Sequence, residues 1–131
     1  MNILPIRLFP DPILRQKTKK IEEINKEIIE FAYNMLETMQ SLKGVGLAAP
    51  QINKAIRLFL IDTTPFVDDD EESQVQVIKK VFINAKIIKE TGGEWDFNEG
   101  CLSIPEIRED IIREASITVY YTHMTLQTNR E

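Results

Sequence analysis

Between residues 25 and 42, apolar side chains return every three or four positions. Ile28, Ala32, Met35, Leu36 and Met39 fall on one stripe, with polar and charged residues around the rest. That period predicts a helix with one buried face. Asn25 is placed to cap it, Glu27 puts negative charge where the helix dipole favours it, and Lys43-Gly44 supplies a basic end and a glycine stop. Met35 and Met39 read as core, because thioethers fill irregular gaps. After the helix the signal shortens. Residues 46–49 and 56–62 predict strands joined by Pro50-Gln51-Ile52-Asn53-Lys54. Further strands are predicted at 75–82, 85–89, 111–113 and 116–121, the last enriched in β-branched and aromatic residues. Thr91-Gly92-Gly93 reads as a turn, and residues 94–98 lead into Glu99-Gly100-Cys101-Leu102-Ser103. Before the helix, Pro5, Pro10 and Pro12 forbid a continuous helix or central strand. This opening predicts an extended arm, tied down by Ile3, Leu4, Ile6 and Leu8, with a turn and one helical turn at residues 11–15.

These elements predict an α+β class: mostly antiparallel strands with one helix near the N-terminus. The 131 residues, without repeat or low-complexity linker, predict a single domain over 1–131. A hydrophobic fraction of 43% and a charged fraction of 28% are those of an ordinary globular chain. The net charge of −5 argues against DNA as a partner, since phosphate binding relies on clustered Lys and Arg, but leaves room for a local patch on ribosomal RNA. A single cysteine excludes an internal disulfide and fits a reducing compartment. No apolar run approaches a membrane span and no secretion signal opens the chain, so a soluble cytoplasmic protein is expected.

Two stretches raise chemistry. Asp68-Asp69-Asp70-Glu71-Glu72 lies in a loop over residues 63–74. Its like charges repel and stay solvated, and it lacks the glycine and terminal glutamate of a calcium loop. Cys101 follows a glycine and precedes Leu102-Ser103-Ile104-Pro105. A thiolate is a soft metal ligand and a strong nucleophile, whereas a free cysteine is most often a small apolar filler.

Taken with Gly44-Val45-Gly46-Leu47-Ala48-Ala49-Pro50-Gln51, the cysteine stretch resembles the peptide deformylases. These metalloenzymes remove the formyl group from new polypeptide N-termini. Leu14-Arg15 and Arg57-Leu58-Phe59 also look like the family, and the likeness runs to about Tyr121. It implies a ferrous ion, replaceable by Ni2+, Zn2+ or Co2+, with Cys101 as a ligand. It also implies Gln51 (side-chain amide) and Leu102 (backbone N–H) as donors to the oxyanion, with Val45, Gly46, Leu47 and Gly100 along the substrate. The implied partners are formyl-methionyl nascent peptides and contact with the ribosome; the oligomeric state is left open. Glu99 is expected to orient the loop. Arg108 is expected to pair with Glu106 or Asp110, the other reading being a place along the substrate.

The family completes its site with a His-Glu-x-x-His helix, whose two histidines share one face and whose glutamate moves protons. Here the one histidine is His123, in Thr122-His123-Met124-Thr125-Leu126, with no second histidine four residues on. The chain is therefore expected to be a C-terminally truncated or divergent member. It offers one of three protein ligands, lacks the central metal-binding helix and has very low activity of its own. Apolar faces from Ile56-Leu58-Leu60 and Ile117-Val119 are expected to want a partner, which predicts marginal stability or association. The alternatives are a non-catalytic module that holds peptide N-termini along residues 45–47, and a thiol enzyme with Cys101 as nucleophile, Gln51 at the oxyanion and His123 as base.

Overall fold

The structure is a computed structural model that describes residues 3–66 and 77–125, with the side chains of Glu106, Ala115 and residues 123–125 undescribed. Helix α1 (Lys26–Ser41) forms where the period places it. Asn25 Oδ1 accepts from the Ile28 N–H at 3.0 Å, closing one of the orphan donors of the first turn. Ala32, Met35, Leu36 and Met39 are buried as expected, while Ile28 only packs against the core's edge. The C-terminus differs in detail. Lys43, not Gly44, takes the left-handed conformation (φ 58°), and the Gly44 N–H bonds back to Met39 O at 3.0 Å. Thr38 is buried within α1, where its Oγ1 accepts from the Leu4 N–H at 2.8 Å and so holds the arm on the helix.

The arm has the expected turn. Residues Pro12–Arg15 form one 3-10 turn, capped by Asp11. Further on, Lys19 bridges to Ile56, and Asn84 closes on Ile21 from both sides, accepting from its N–H at 2.8 Å and donating to its carbonyl at 2.7 Å.

Strands β1 (Gly46–Ala48), β2 (Leu58–Asp62), β3 (Lys79–Cys101) and β4 (Ile104–Thr125) make one antiparallel sheet in chain order. β2 alternates, with Leu58, Leu60 and Asp62 inward, and α1 covers that face. Leu58 and Leu60 are 2% and 0% exposed, so the expectation that they lack a partner is corrected: α1, Val81 and Ile83 enclose them. Burying each such side chain stabilises the fold by roughly 1.5–3 kcal/mol.

The larger correction concerns the second half of the chain. The separate strands read from the sequence are two long ones forming a single hairpin, and Thr91-Gly92-Gly93 does not reverse the chain. Both glycines have positive φ (95° and 82°), and they absorb a register shift between Thr91 and Glu94. Left-handed glycines can bulge a strand as readily as turn it, and β4 continues to pair on either side. The reversal comes at Leu102-Ser103, between the paired Cys101 and Ile104. Along the middle of the hairpin Ile88, Trp95, Ile112, Ile117 and Tyr120 are all half-exposed or more, so among the described residues nothing covers Ile117, while Val119 of the same expected face is half-buried. The acidic run 68–72 lies outside the described residues.

Candidate active site

The chain leaves β1 directly into a 3-10 turn, Ala49–Ile52, with Pro50 inside its first turn and Asn53 in the left-handed region ending it. Proline suits that place because its missing N–H has no partner to lose. The turn was expected as a plain connection; its helical winding swings Gln51 back over β1. There Gln51 Oε1 accepts from the Ala48 N–H at 3.0 Å. Gln51 Nε2 then faces the hairpin tip, 3.1 Å from Ser103 Oγ and 3.6 Å from Cys101 Sγ.

The tip is docked, not free. Ser103 is buried, Leu102 lays its side chain on Gly44, and the Phe9 N–H donates to Ser103 O at 2.8 Å. One step back along the arm but one, the Arg7 N–H donates to Gln51 O at 2.6 Å. Alternate amides of the arm therefore hold both motifs. Cys101 remains exposed as a free thiol. Leu102 occupies the first central position of a four-residue turn, whose closing bond uses other groups, so its N–H lies outside the strand ladder.

Charge braces the strands behind the tip. Arg113 on β4 forms a two-pronged ion pair with Glu99 on β3, through Nε to Oε2 and through Nη2 to Oε1 at 2.8 Å. Arg113 holds the Glu99 carboxyl below its ordinary range, chiefly through the hydrogen bonds it donates. Arg108 does not pair with Asp110. It donates to Asn98 Oδ1 at 2.6 Å and Asn98 O at 3.1 Å, while Asn98 Nδ2 donates to Asp110. Its guanidinium lies over Gly100, where a Cβ would come within 2.8 Å of Nη1. Among the described side chains Asn98, and not Asp110, is Arg108's partner; the expected alternative, Glu106, lies outside the described side chains.

Between the arm, residues 42–46 and the hairpin tip lies an open cleft of about 1220 Å³. Gln51, Gly46, Val45, Gly100 and Cys101 line it, and Leu42, Phe66, Phe97 and Ile107 give it an apolar wall. Among the described strands β1 is at the edge of the sheet, with one side of its backbone unpaired there. Leu47, expected along the substrate, instead has its side chain 2% exposed in the core and does not line the cleft. The structure thus brings together Val45, Gly46, Gln51, Gly100, Cys101 and Leu102. It does not add His123, which pairs with Phe82 at the base of the hairpin while Cys101 sits at its tip. Among the described residues no three His, Cys, Asp or Glu side chains converge to hold a metal ion. Three contacts escaped the sequence reading: the Ser103 hydroxyl, the Arg113 pair and the arm's two amides. A serine two residues after the cysteine was the one visible signal.

The family model described as polypeptide deformylase matches residues 3–131. Among curated proteins, the peptide deformylase of Christiangramia forsetii is 50% identical over 124 residues, covering 91% of this chain and 63% of its own length. That of Flavobacterium johnsoniae is 51% identical over 124 residues with the same coverage. The chain therefore spans just under two thirds of these relatives. Among solved structures, the peptide deformylase of Ehrlichia chaffeensis in complex with actinonin superposes with a TM-score of 0.82 at 29% identity, over 94% of this chain and 70% of that one. That of Thermotoga maritima gives 0.77 at 30% identity, over 97% and 83%. The α+β fold agrees with these matches, and the chain belongs to the peptide deformylase family.

Proposed function

We propose that this chain supplies the peptide-holding and oxyanion-stabilising part of a deformylase site. The reaction served is hydrolysis of the N-formyl group of formyl-methionyl nascent peptides in the cytoplasm, at or near the ribosome. The observation that carries the reading is the Gln51 amide, held so that Nε2 faces the Cys101 sulfur at 3.6 Å. Amide hydrolysis places negative charge on the carbonyl oxygen, and donors fixed beforehand stabilise it without reorganising. Gln51 is a neutral donor that does not compete for a cation, and the Leu102 N–H is fixed by the turn. The backbone of residues 45–47, running into the open edge of β1, pairs with substrate backbone by strand addition, which accepts many sequences. Gly46 lets that backbone approach.

Members of the family are metal-dependent, and the resemblance assigns Cys101 as a thiolate ligand to a ferrous ion or to nickel, zinc or cobalt. One thiolate does not make such a site, and the residues described here do not fit a metal without further donors. The domain over 1–131 is therefore read as one that needs a His-Glu-x-x-His segment beside the cleft. The test is release of formate from a formyl-methionyl peptide under reducing conditions, with ferrous or nickel ion. The chain alone is expected to turn over at or near background. Adding a helical segment that bears His-Glu-x-x-His is expected to produce metal-dependent turnover, lost in Cys101→Ala and reduced about 10²–10³-fold in Gln51→Ala, the usual loss for one oxyanion donor. Vigorous turnover by the chain alone would refute the incomplete-site reading. Peptide affinity that never becomes turnover would favour the non-catalytic binding module.

A further inference from the structure

We propose that Ser103 is a positioning residue for Gln51: its hydroxyl oxygen holds one N–H of the Gln51 amide so that the other is aimed across Cys101. This rests on the reading of Gln51 as an oxyanion donor, but the orientation follows from its neighbours. The Ala48 N–H, 3.0 Å away, is a donor with no capacity to accept, so the Gln51 atom facing it is the oxygen. Flipping the amide would lose that bond and oppose two donors. Nε2 is thereby left with two protons and two acceptors, Ser103 Oγ at 3.1 Å and Cys101 Sγ at 3.6 Å. Sulfur is the weaker acceptor, so its proton is the one exchanged for a substrate oxygen, while the bond to Ser103 stays. Ser103 is 2% exposed, and water does not compete for its hydroxyl.

The backbones of the two residues are held separately. Phe9 N–H binds Ser103 O, and Arg7 N–H binds Gln51 O. Removing the Ser103 hydroxyl therefore loosens the Nε2 end of the amide, which Ala48 still holds at Oε1, while the tip stays docked, and this separates positioning from folding.

The test uses nitrogen-labelled 131-residue chain and the side-chain amide signals of Gln51. Slow proton exchange at Nε2 is expected in the unsubstituted chain, accelerating about fivefold in Ser103→Ala, the worth of one neutral hydrogen bond. The Phe9 amide should stay protected. Unchanged Nε2 exchange with Phe9 still protected would overturn the proposal. If Ser103→Ala does not fold, the unsubstituted chain decides: through-space contact between the Nε2 protons and the Ser103 β-protons supports the proposal, and its absence overturns it. Neither readout needs metal or turnover, so a pinned amide in a chain that no added segment activates would defeat the deformylase reading alone. In a complemented, active protein, Ser103→Ala should lower kcat about fivefold at unchanged KM. It should cost nothing further in a Gln51→Ala background. Additive losses would mean that Ser103 acts on the fold and not through Gln51.

Discussion

A methyl group at position 44 would sit 2.8 Å from Leu102 Cδ1 and 3.2 Å from Met39 Cγ, so the glycine there is the floor on which the hairpin tip rests. The clash with Leu102 involves the end of a flexible side chain and can be relieved by moving it, which lifts the tip. Gly44→Val is therefore expected to cost about 1–3 kcal/mol, the usual range for overpacking. Chemical denaturation checks this, and proteolysis near Leu102 should accelerate in the same variant. Asp62 gives a second prediction at this scale. Burial raises its pKa, but bonds from Thr64 Oγ1 and N–H and from Gln40, with the charge of Lys79, outweigh burial and leave it below the ordinary carboxylate value of 3.8. A depressed folded pKa contributes stability that is complete above the unfolded value and lost as pH falls through the folded one. The melting-temperature gap between the native chain and Asp62→Asn should thus be full at pH 6 and close progressively below about 3.8. A gap that widened in acid would contradict the assignment.

At the scale of elements, α1 and the hairpin show what the sequence could and could not reveal. The helix was legible because its period, its Asn25 cap and its buried stripe all lie within one local run. Strand ends in β3 and β4 were not, because each bulge is set by what the partner strand does at that height. Gly92-Gly93 has turn chemistry and sits in a strand, while the true reversal at Leu102-Ser103 contains no glycine. Asn84 belongs to the same lesson: it is left-handed (φ 55°) at a register shift, and its amide closes on Ile21 from 63 positions away. Asn84→Ala loses both bonds and keeps the strained backbone, so a loss of about 1–3 kcal/mol is expected. Asn84→Gly loses the bonds but relaxes the backbone, and should be the milder of the two by denaturant unfolding. In the core, Met39→Ala removes a fully buried side chain from the α1 stripe and should cost about 2–5 kcal/mol.

Across the whole molecule, a well-packed half built from the arm, α1 and β1–β2 carries a hairpin whose middle is apolar on the outside. The two site motifs were legible because each is a short contiguous run, and their meeting was implied by the family resemblance. The agent that joins them was not legible, since the arm donates backbone amides, which leave no trace in residue type. Trp95, the one tryptophan, lies 50% exposed on that hairpin and reports on it. Its emission should be solvent-like and readily quenched by acrylamide in the chain alone, and should shift to the blue when a complementary helical segment is added. The central claim is that residues 45–51 and 99–103 form one peptide-holding site, and a residue-resolved titration of the labelled chain with a formyl-methionyl peptide tests it most directly. Signals of Val45, Gly46, Leu102 and the Gln51 side-chain amide should move together with a single apparent affinity. Shifts confined to the exposed hairpin, or two groups moving with different affinities, would show that the two stretches do not act as one site.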